Sequence, residues 1–168
     1  MILTQLLHGG ECPSCEEMYD KYGAMLYRIC FSSMRSEPDA ADMVQEVFVK
    51  YMQKKPYFEN EEHQKAWFIR VAINSCTDEL RKKSFRRAVG LEEIEETAAQ
   101  ASTDGDMLSV VMSLPQNFKM PILMHYFEDM SVREIAIALN ITEANVKMRL
   151  SRGRTMLKSY LENESEGG

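Results

Sequence analysis

Residues 131–158 read SVREIAIALNITEANVKMRLSRGRTMLK, and this stretch decides the fold of the C-terminal part of the chain. Ser131 followed by Glu134 forms a capping-box signature, because each side chain can accept a hydrogen bond from a backbone N–H that the helix start leaves unpaired. Asn140 tolerates the left-handed backbone that ends a helix, and Thr142 is a suitable cap for the next one. The pattern predicts a short helix, a tight turn and a longer second helix.

The second helix of this stretch has an apolar side and a basic side. At about 100° per residue, the inner side carries the apolar residues Val146, Leu150, Leu157 and Leu161, with Gly153 among them. We expect Gly153 to let a neighbouring backbone approach closely. The opposite side and its flanks carry amide, hydroxyl and basic residues together with one methionine: Asn145, Lys147, Met148, Arg149, Ser151, Arg152, Arg154, Thr155 and Lys158. Such a helix suits the major groove of DNA; the alternative is a solvated charged helix in another α-helical domain.

Length and composition indicate an ordinary globular protein. The chain has 168 residues, 45% of them hydrophobic and 27% charged, which predicts one or two small domains. No apolar run is long enough to span a membrane. The N-terminus has neither a basic leader nor a clear cleavage site, so we expect no signal peptide and a cytoplasmic location.

The net charge of −6 argues against a simple free-standing DNA-binding protein. The charges are unevenly distributed, however. Acidic residues concentrate in 92–96 and 104–106 and in the last residues of the chain, whereas basic residues concentrate in 81–87 and in the second helix of the C-terminal stretch. Two basic faces separated by an acidic connector suggest two DNA-contacting modules on one chain.

The hydrophobic periodicity predicts an all-α fold of two small helical domains joined by a flexible acidic linker, with a helix-turn-helix in the second. The predicted segments are a disordered leader (1–14), an N-terminal domain (15–87), a linker rich in Glu, Ala, Ser, Thr and Asp (88–106), a C-terminal domain (107–162) and an acidic tail (163–168).

Within the N-terminal domain, residues 39–53 are predicted to form a helix with an acidic outer face. Val44, Val47, Phe48 and Tyr51 are expected to face the core. The outer face carries carboxylates and amides, at Asp39, Asp42, Gln45, Glu46 and Gln53. This face is too negative to lie on DNA, so it is either solvated or a protein-docking surface.

A long helix over 63–87 is predicted to carry two rows of side chains. The first row is expected to be core: Ala66, Ile69, Ile73, Cys76 and Leu80. The second row combines aromatic, amide and basic groups suited to stacking on an unpaired base and holding a backbone: Trp67, Arg70, Asn74, Thr77 and Arg81. The alternatives are a core role for Trp67 and a solvated basic helix end. Tyr57, Phe58 and Asn60 are exposed candidates in the preceding loop, or a lid on the core.

Neither a metal site nor a catalytic site stands out. His8, Cys12 and Cys15 have metal-ligand spacing but lack a fourth ligand nearby. We therefore prefer a disordered leader with two reduced thiols over a zinc or redox site. The histidines are scattered and no phosphate-binding glycine loop occurs, so we expect no enzyme activity, no cofactor and no small-molecule substrate.

Three segments, taken together and in order, resemble one protein family. They are DAADMVQEVFVKY (39–51), KAWFIRVAINSCTDELRKK (65–83) and LPQNFKMPILMHYFEDMSVREIAIALNITEANVKMRLSRGR (114–154). The chain resembles the extracytoplasmic-function group of bacterial sigma factors from about Cys15 to Leu161. The resemblance implies a protein subunit that binds core RNA polymerase, recognises −10 and −35 promoter elements and supports DNA melting, with an anti-sigma factor as a further partner.

The resemblance also implies roles for individual residues. Asp39, Asp42, Gln45 and Glu46 would dock on a coiled coil of the largest polymerase subunit. The residues that would capture the −10 element are Phe58, Asn60, Trp67, Arg70 and Asn74, with Arg81 in the same row. The residues that would read the −35 element are Lys147, Met148, Arg149, Ser151 and Arg152, flanked by Asn145 and Arg154.

Two other functions are compatible with parts of the sequence. A stand-alone regulator would share the helix-turn-helix but would not bind core polymerase. A structural or interaction protein could carry solvated basic helices without directing transcription. For a sigma factor we expect weak promoter binding by the isolated chain and tight, salt-sensitive binding together with polymerase, which holds both modules at the promoter spacing.

Overall fold

A computed structural model describes residues 12–91 and 107–167. All regular structure in these two ranges is α-helical, which confirms the predicted fold class. The helices are α1 (Cys15–Met34), α2 (Glu37–Lys54), α3 (Glu61–Ala88), α4 (Met107–Ser113), α5 (Gln116–Tyr126), α6 (Val132–Leu139) and α7 (Glu143–Glu166). The chain divides into two units between Glu79 and Leu80, inside α3. His8 and the acidic run 92–106 lie outside the described residues.

The start of α1 is fixed by the residues that precede it. Ser14 caps the helix, and Glu17 completes a capping box by accepting from the Ser14 N–H at 2.8 Å. The Tyr51 hydroxyl of α2 donates to the Pro13 carbonyl at 2.7 Å. Residues 12–14 therefore belong structurally to the start of α1, although we predicted them as the end of a disordered leader.

Helix α2 begins two residues earlier than predicted. Ser36 is its cap, accepting from the Asp39 N–H at 3.4 Å, and Pro38 sits in the first turn, where the missing proline N–H has no helical partner to lose. The core side is as predicted: Val44, Val47, Phe48 and Tyr51 are all buried.

The core of the N-terminal unit is built around Phe68 of α3, which is fully buried. Its ring centroid lies 5.1 Å from that of Tyr22, 5.5 Å from that of Phe48 and 5.1 Å from that of Tyr51. Aromatic rings at such distances pack favourably when they are tilted. One phenylalanine of α3 thus joins α1 and α2, and the sequence analysis did not identify it.

The predicted core row of α3 is only partly buried. Ala66, Ile69 and Cys76 are buried, but Ile73 is half-buried and Leu80 is 41% exposed. None of residues 80–91 is buried, because the helix continues beyond the part that packs against α1 and α2. The prediction that Leu80 lies in the core is therefore wrong.

The last turn of α3 closes with a left-handed residue. Gly90 has φ of 73°; its N–H bonds to the Arg87 carbonyl at 3.2 Å, and the Leu91 N–H bonds to the Arg86 carbonyl at 2.9 Å. This pair of bonds satisfies carbonyls that a helix end leaves unpaired.

The helix-turn-helix forms as predicted. Ser131 and Glu134 make both bonds of the capping box, at 3.1 and 2.8 Å. Asn140 ends α6 in the left-handed region with φ of 55°, and Thr142 caps α7 by accepting from the Asn145 N–H at 3.1 Å. A cap residue of this kind contributes about 1 kcal/mol.

Helix α7 packs against α5 through Gly153, but the partner differs from the prediction. A Cβ at Gly153 would lie 3.0 Å from Ile122 Cγ1, so the close neighbour is a side chain rather than a backbone. Val146 and Leu150 are buried as predicted, whereas Leu157 is half-buried and Leu161 is exposed.

Helix α7 continues to Glu166, into the segment 163–168 that we predicted as an acidic tail. Pro121 lies inside α5 and is buried. No helix in the described ranges is long and apolar enough to cross a bilayer.

Candidate nucleic-acid and protein interfaces

The aromatic candidates of the N-terminal unit form one cluster at the edge of the core. Trp67 is half-buried, and its ring centroid lies 5.9 Å from that of Phe58, at an interplanar angle of 64°. It also makes an edge contact with Phe68 at 5.1 Å and with Tyr51 at 6.1 Å. The core role and the exposed role weighed for Trp67 are therefore compatible, because one part of the ring packs inward while the other reaches the surface.

Asn60 has a local structural role that the sequence analysis missed. Its side-chain oxygen accepts from the His63 N–H at 2.9 Å, and its carbonyl accepts from the Gln64 N–H at 3.1 Å. Asn60 is thus the cap of α3, and it is exposed. The sequence could have predicted this cap, because an Asn that precedes an acidic first turn is typical of a helix start.

The polar row of α3 lies on the surface as predicted. Arg70, Asn74, Thr77 and Arg81 are all exposed. The Thr77 hydroxyl donates to the Ile73 carbonyl at 2.8 Å, so its proton is engaged within the helix. The exposed amide of Asn74 and the two guanidinium groups remain the candidates for contact with a nucleic-acid strand.

The acidic face of α2 separates into two kinds of residue. Asp42 and Gln45 are exposed, whereas Asp39 and Glu46 are half-buried. Glu46 forms an ion pair with Lys50 at 2.6 Å and accepts from the Ser75 hydroxyl at 3.3 Å. Lys50 in turn donates to Ser75 at 2.8 Å. Glu46 therefore contributes to the packing of α2 on α3, and Asp42 and Gln45 are the accessible part of the face.

Two apolar residues extend this accessible face, and sequence reasoning missed them. Val49 is 43% exposed and Met52 is 50% exposed. Asp42, Gln45, Val49 and Met52 are spaced three, four and three residues apart, which places all four on one side of the helix. The two side chains add apolar area that a protein partner could bury beside the polar part of this face.

The predicted basic face of α7 contains one side-chain pair. Arg149 Nε donates to Asn145 Oδ1 at 2.9 Å, so one edge of the guanidinium is held in place. Lys147, Ser151 and Arg152 are exposed, and Met148 is 38% exposed between them. The face therefore presents one oriented guanidinium and several exposed polar groups.

Arg154 lies on a different side of α7 from Arg149. Its Nη1 donates to the Tyr126 hydroxyl of α5 at 3.0 Å. The two residues are five positions apart, which is about 140° around a helix. The structure therefore does not bring Arg154 together with Asn145 and Arg149, although the sequence analysis grouped all three.

The N-terminal thiols lie near a phenol rather than a metal cluster. Cys12 Sγ is 3.2 Å from the Tyr51 hydroxyl. No group of three or more potential ligands among His, Cys, Asp and Glu occurs in residues 12–91 and 107–167. His125 Nδ1 lies 2.9 Å from the Met130 carbonyl, so this histidine makes a local hydrogen bond at the end of α5.

Comparison with known proteins identifies both halves of the chain. A family model for sigma-70 region 2 matches residues 18–86, and a model for sigma-70 region 4 matches residues 105–157. The RNA polymerase sigma factor SigV of Bacillus subtilis is 30% identical over 141 residues, which cover 82% of this chain and 85% of SigV. The ECF RNA polymerase sigma factor SigL of Mycobacterium tuberculosis is 30% identical over 142 residues, covering 79% of this chain and 80% of SigL.

The fold is shared with a solved structure. The sigma factor RpoE from Bartonella quintana, in complex with the anti-sigma factor NepR, superposes with a TM-score of 0.69 at 21% identity, covering 88% of this chain and 96% of that one. Because two relatives at 30% identity are sigma factors over most of their length, the resemblance drawn from the sequence is confirmed. The chain belongs to the extracytoplasmic-function group of bacterial RNA polymerase sigma factors.

Proposed function

We propose that this chain binds core bacterial RNA polymerase, directs it to promoters through −10 and −35 elements, and supports DNA melting at initiation. The observation that carries the proposal is the presence of sigma-70 regions 2 and 4 in order on one chain. A stand-alone regulator is less favoured, because region 2 occupies most of the N-terminal unit and such a regulator would need only the helix-turn-helix.

The polymerase-docking surface is proposed to be the outer face of α2. Asp42 and Gln45 supply its polar part, and Val49 and Met52 add exposed apolar area. Asp39 and Glu46 border this face, and family membership supports a coiled coil of the largest polymerase subunit as its partner. Electrostatic complementarity at such a surface sets the partner and the rate of encounter more than the final affinity.

The −10 element is proposed to bind along the Phe58–Trp67 edge and the polar row of α3. An unpaired base can stack on this half-exposed aromatic edge, and stacking contributes about 1–3 kcal/mol per base. The residues assigned to this element are Phe58, Asn60, Trp67, Arg70, Asn74 and Arg81. Unpairing a base costs a few kcal/mol, so opening depends on polymerase holding the module at the promoter.

The −35 element is proposed to bind the first half of α7 in the major groove. Arg149, with Asn145 as its support, is assigned to base contact because its position is fixed. The remaining residues assigned to this element are Lys147, Met148, Ser151 and Arg152 on the exposed face, and Arg154 at its margin. Phosphate contacts would place the helix, and base contacts would specify the sequence.

The domain boundaries and remaining partners are part of the same proposal. The N-terminal domain spans 15–87, the linker 88–106 and the C-terminal domain 107–162, with an acidic tail after it. The protein would act in the cytoplasm, where the polymerase is. An anti-sigma factor is a further proposed partner, supported by the RpoE–NepR complex, whose sigma subunit shares this fold.

Reconstituted transcription tests the proposal. Core polymerase is mixed with the full chain and a genomic promoter library, and run-off products are sequenced. We expect products that share two sequence elements at fixed spacing and that disappear when the chain is omitted. A chain that binds a promoter equally well with and without polymerase, and yields no run-off product, would instead be a stand-alone regulator.

A further inference from the structure

The most accessible thiols of the described residues are those of Cys12 and Cys15. Cys12 is exposed and Cys15 is half-buried, whereas Cys30 and Cys76 are exposed by only 0% and 1%. Hydrogen bonding with the Cys76 thiol, together with burial, raises the pKa of the Cys30 thiol. Because thiol chemistry requires a thiolate that a reagent can reach, the Cys12-Pro13-Ser14-Cys15 segment is where such chemistry would occur.

Tyr51 connects this segment to the core. Its hydroxyl donates to the Pro13 carbonyl at 2.7 Å, and Cys12 Sγ lies 3.2 Å from the same oxygen. A hydroxyl carries one proton, so the Cys12 S–H must donate to the Tyr51 oxygen. Burial and, after it, the hydrogen bond with Cys12 raise the pKa of Tyr51, so the phenol keeps the proton that it donates to the Pro13 carbonyl.

The Tyr51 ring contacts the aromatic edge proposed to bind DNA. Its centroid is 6.1 Å from that of Trp67 and 5.1 Å from that of Phe68. Trp67 is the single tryptophan of the chain. Any change at Cys12 or Pro13 that displaces Tyr51 is therefore reported by one fluorophore.

Forming a Cys12–Cys15 bond would remove the Cys12 S–H that donates to the Tyr51 oxygen. Pro13 and Ser14 lie between the two cysteines: the Pro13 carbonyl accepts from the Tyr51 hydroxyl, and Ser14, with φ of −63° and ψ of 154°, caps α1. A bridge across these two residues would therefore act directly on the contacts that hold Tyr51.

We propose that Cys12 and Cys15 are a reversible dithiol–disulfide site for small-molecule disulfides, and that its state is transmitted through Tyr51 to Trp67. A bridge that includes the exposed Cys12 sulfur can be reached by a reducing thiol, which suits a reversible site. Since Trp67 is assigned to the −10 element, the site would couple thiol oxidation to promoter opening, a consequence that rests on the proposed function.

The exchange takes place in two balanced steps. The Cys12 thiolate attacks one sulfur of a disulfide R–S–S–R, forming a Cys12–S–S–R bond and releasing one thiolate RS⁻. The Cys15 thiolate then attacks the Cys12 sulfur, forming the Cys12–Cys15 bond and releasing the second RS⁻. The two cysteines are oxidised, R–S–S–R is reduced to two RSH, and the two cysteine protons end on these products.

The test uses the full chain without polymerase or DNA, with oxidised glutathione as the probe. After native oxidation, the remaining thiols are alkylated, the peptides are mapped by mass spectrometry, and Trp67 emission is recorded. We expect a Cys12–Cys15 disulfide, loss of two reactive thiols per chain, intact Cys30 and Cys76 thiols, and an emission change that reduced glutathione reverses.

Three variants separate the chemistry from its transmission. Cys12→Ser and Cys15→Ser should each abolish the emission change. Tyr51→Phe keeps the ring but removes the hydroxyl, so it should form the disulfide with no emission change. Glutathione adducts without a Cys12–Cys15 bond would contradict the proposed disulfide site. If the bond forms but wild-type emission is unaltered, or if Tyr51→Phe shows an equal emission change, the proposed transmission through Tyr51 is contradicted. Failure of the proposed function would instead appear as absent run-off transcription by the fully reduced chain.

Discussion

At the scale of single residues, Arg149 is the side chain of the −35 face whose orientation is fixed. Asn145 Oδ1 accepts from its Nε at 2.9 Å, and its two Nη atoms make no hydrogen bond within residues 12–91 and 107–167. The end of a guanidinium carries two N–H groups that match guanine O6 and N7 in the major groove. Arg149 is therefore expected to read a guanine, and Asn145 to act as a positioning residue rather than a base contact.

Arg149→Ala is predicted to relax selection at one guanine of the −35 element, at a cost of about 1–3 kcal/mol. Asn145→Ala should relax the same position less strongly. The measurement is run-off sequencing from a library randomised over the −35 element. Lys147→Ala is the matched control: it should weaken all sequences evenly and lower the salt slope by about one. If Arg149→Ala instead weakens transcription evenly across all −35 sequences, this residue contacts phosphate rather than a base.

Gly153→Ala is predicted to destabilise the C-terminal unit although alanine is the better helix former. The substitution gains about 1 kcal/mol in helix propensity, but the new Cβ would lie 3.0 Å from Ile122 Cγ1 and 3.2 Å from its Cδ1. Ile122 is buried and stiff at its branched Cβ, and overpacking costs about 1–3 kcal/mol. Urea unfolding measures the net change. Adding Ile122→Val should recover part of the loss; a more stable single variant would contradict this packing.

At the scale of elements, a polar network joins α1 to the start of α3. Lys21 pairs with Glu61 at 2.9 Å, and the Tyr22 hydroxyl donates to the buried Gln64 side chain at 2.9 Å. The hydrogen bond with Lys21 lowers the pKa of Glu61, and the same bond raises the pKa of Lys21. The pair is exposed, so its contribution to stability is small.

The lowered pKa of Glu61 and the raised pKa of Lys21 determine how the stability contributed by this pair depends on pH. The contribution of Glu61 is present above the ordinary carboxyl pKa and is lost as the pH falls through its lowered pKa. That of Lys21 is present below the ordinary ammonium pKa and is lost as the pH rises through its raised pKa. Lys21→Met should flatten the acid limb of a Tm-versus-pH curve relative to Lys82→Met, which removes an exposed lysine of α3 that does not act on Glu61. Identical acid limbs in the two variants would show that the pair does not contribute.

The elements that could be predicted from the sequence are those fixed by local chemistry. The capping box at Ser131, the left-handed Asn140 and the cap at Thr142 depend on nearest neighbours, so the caps and the turn of the helix-turn-helix were predicted to the residue. Phe68 and Glu46 depend on partners far along the chain, at Tyr22 and Ser75. Periodicity gives the direction of a side chain on its own helix, but it does not give the helix that packs against that side chain. The contacts of Phe68 and Glu46 were therefore not predicted.

At the scale of the whole molecule, one docking face and two DNA-contacting faces have separate proposed roles. The isolated chain carries a net charge of −6, which disfavours DNA until polymerase holds both modules at the promoter spacing. Promoter affinity is therefore predicted to be weak for the chain alone, and strong and salt-dependent for the complex. Titration of labelled promoter DNA at several salt concentrations, with and without core polymerase, measures both. Equal affinities would contradict this division.

The most direct test of the central claim is the affinity of the free chain for core polymerase after charge reversal on α2. Asp42→Lys with Gln45→Lys changes only exposed residues and spares Glu46, whose ion pair serves packing. Asp20→Lys with Ala24→Lys on the exposed side of α1 is the control, with the same change in charge. We predict that the α2 pair raises the Kd by about tenfold or more, equivalent to ~1.4 kcal/mol, and abolishes run-off transcription, while the α1 pair leaves both near wild type. Normal polymerase binding and transcription by the folded α2 variant would contradict the account.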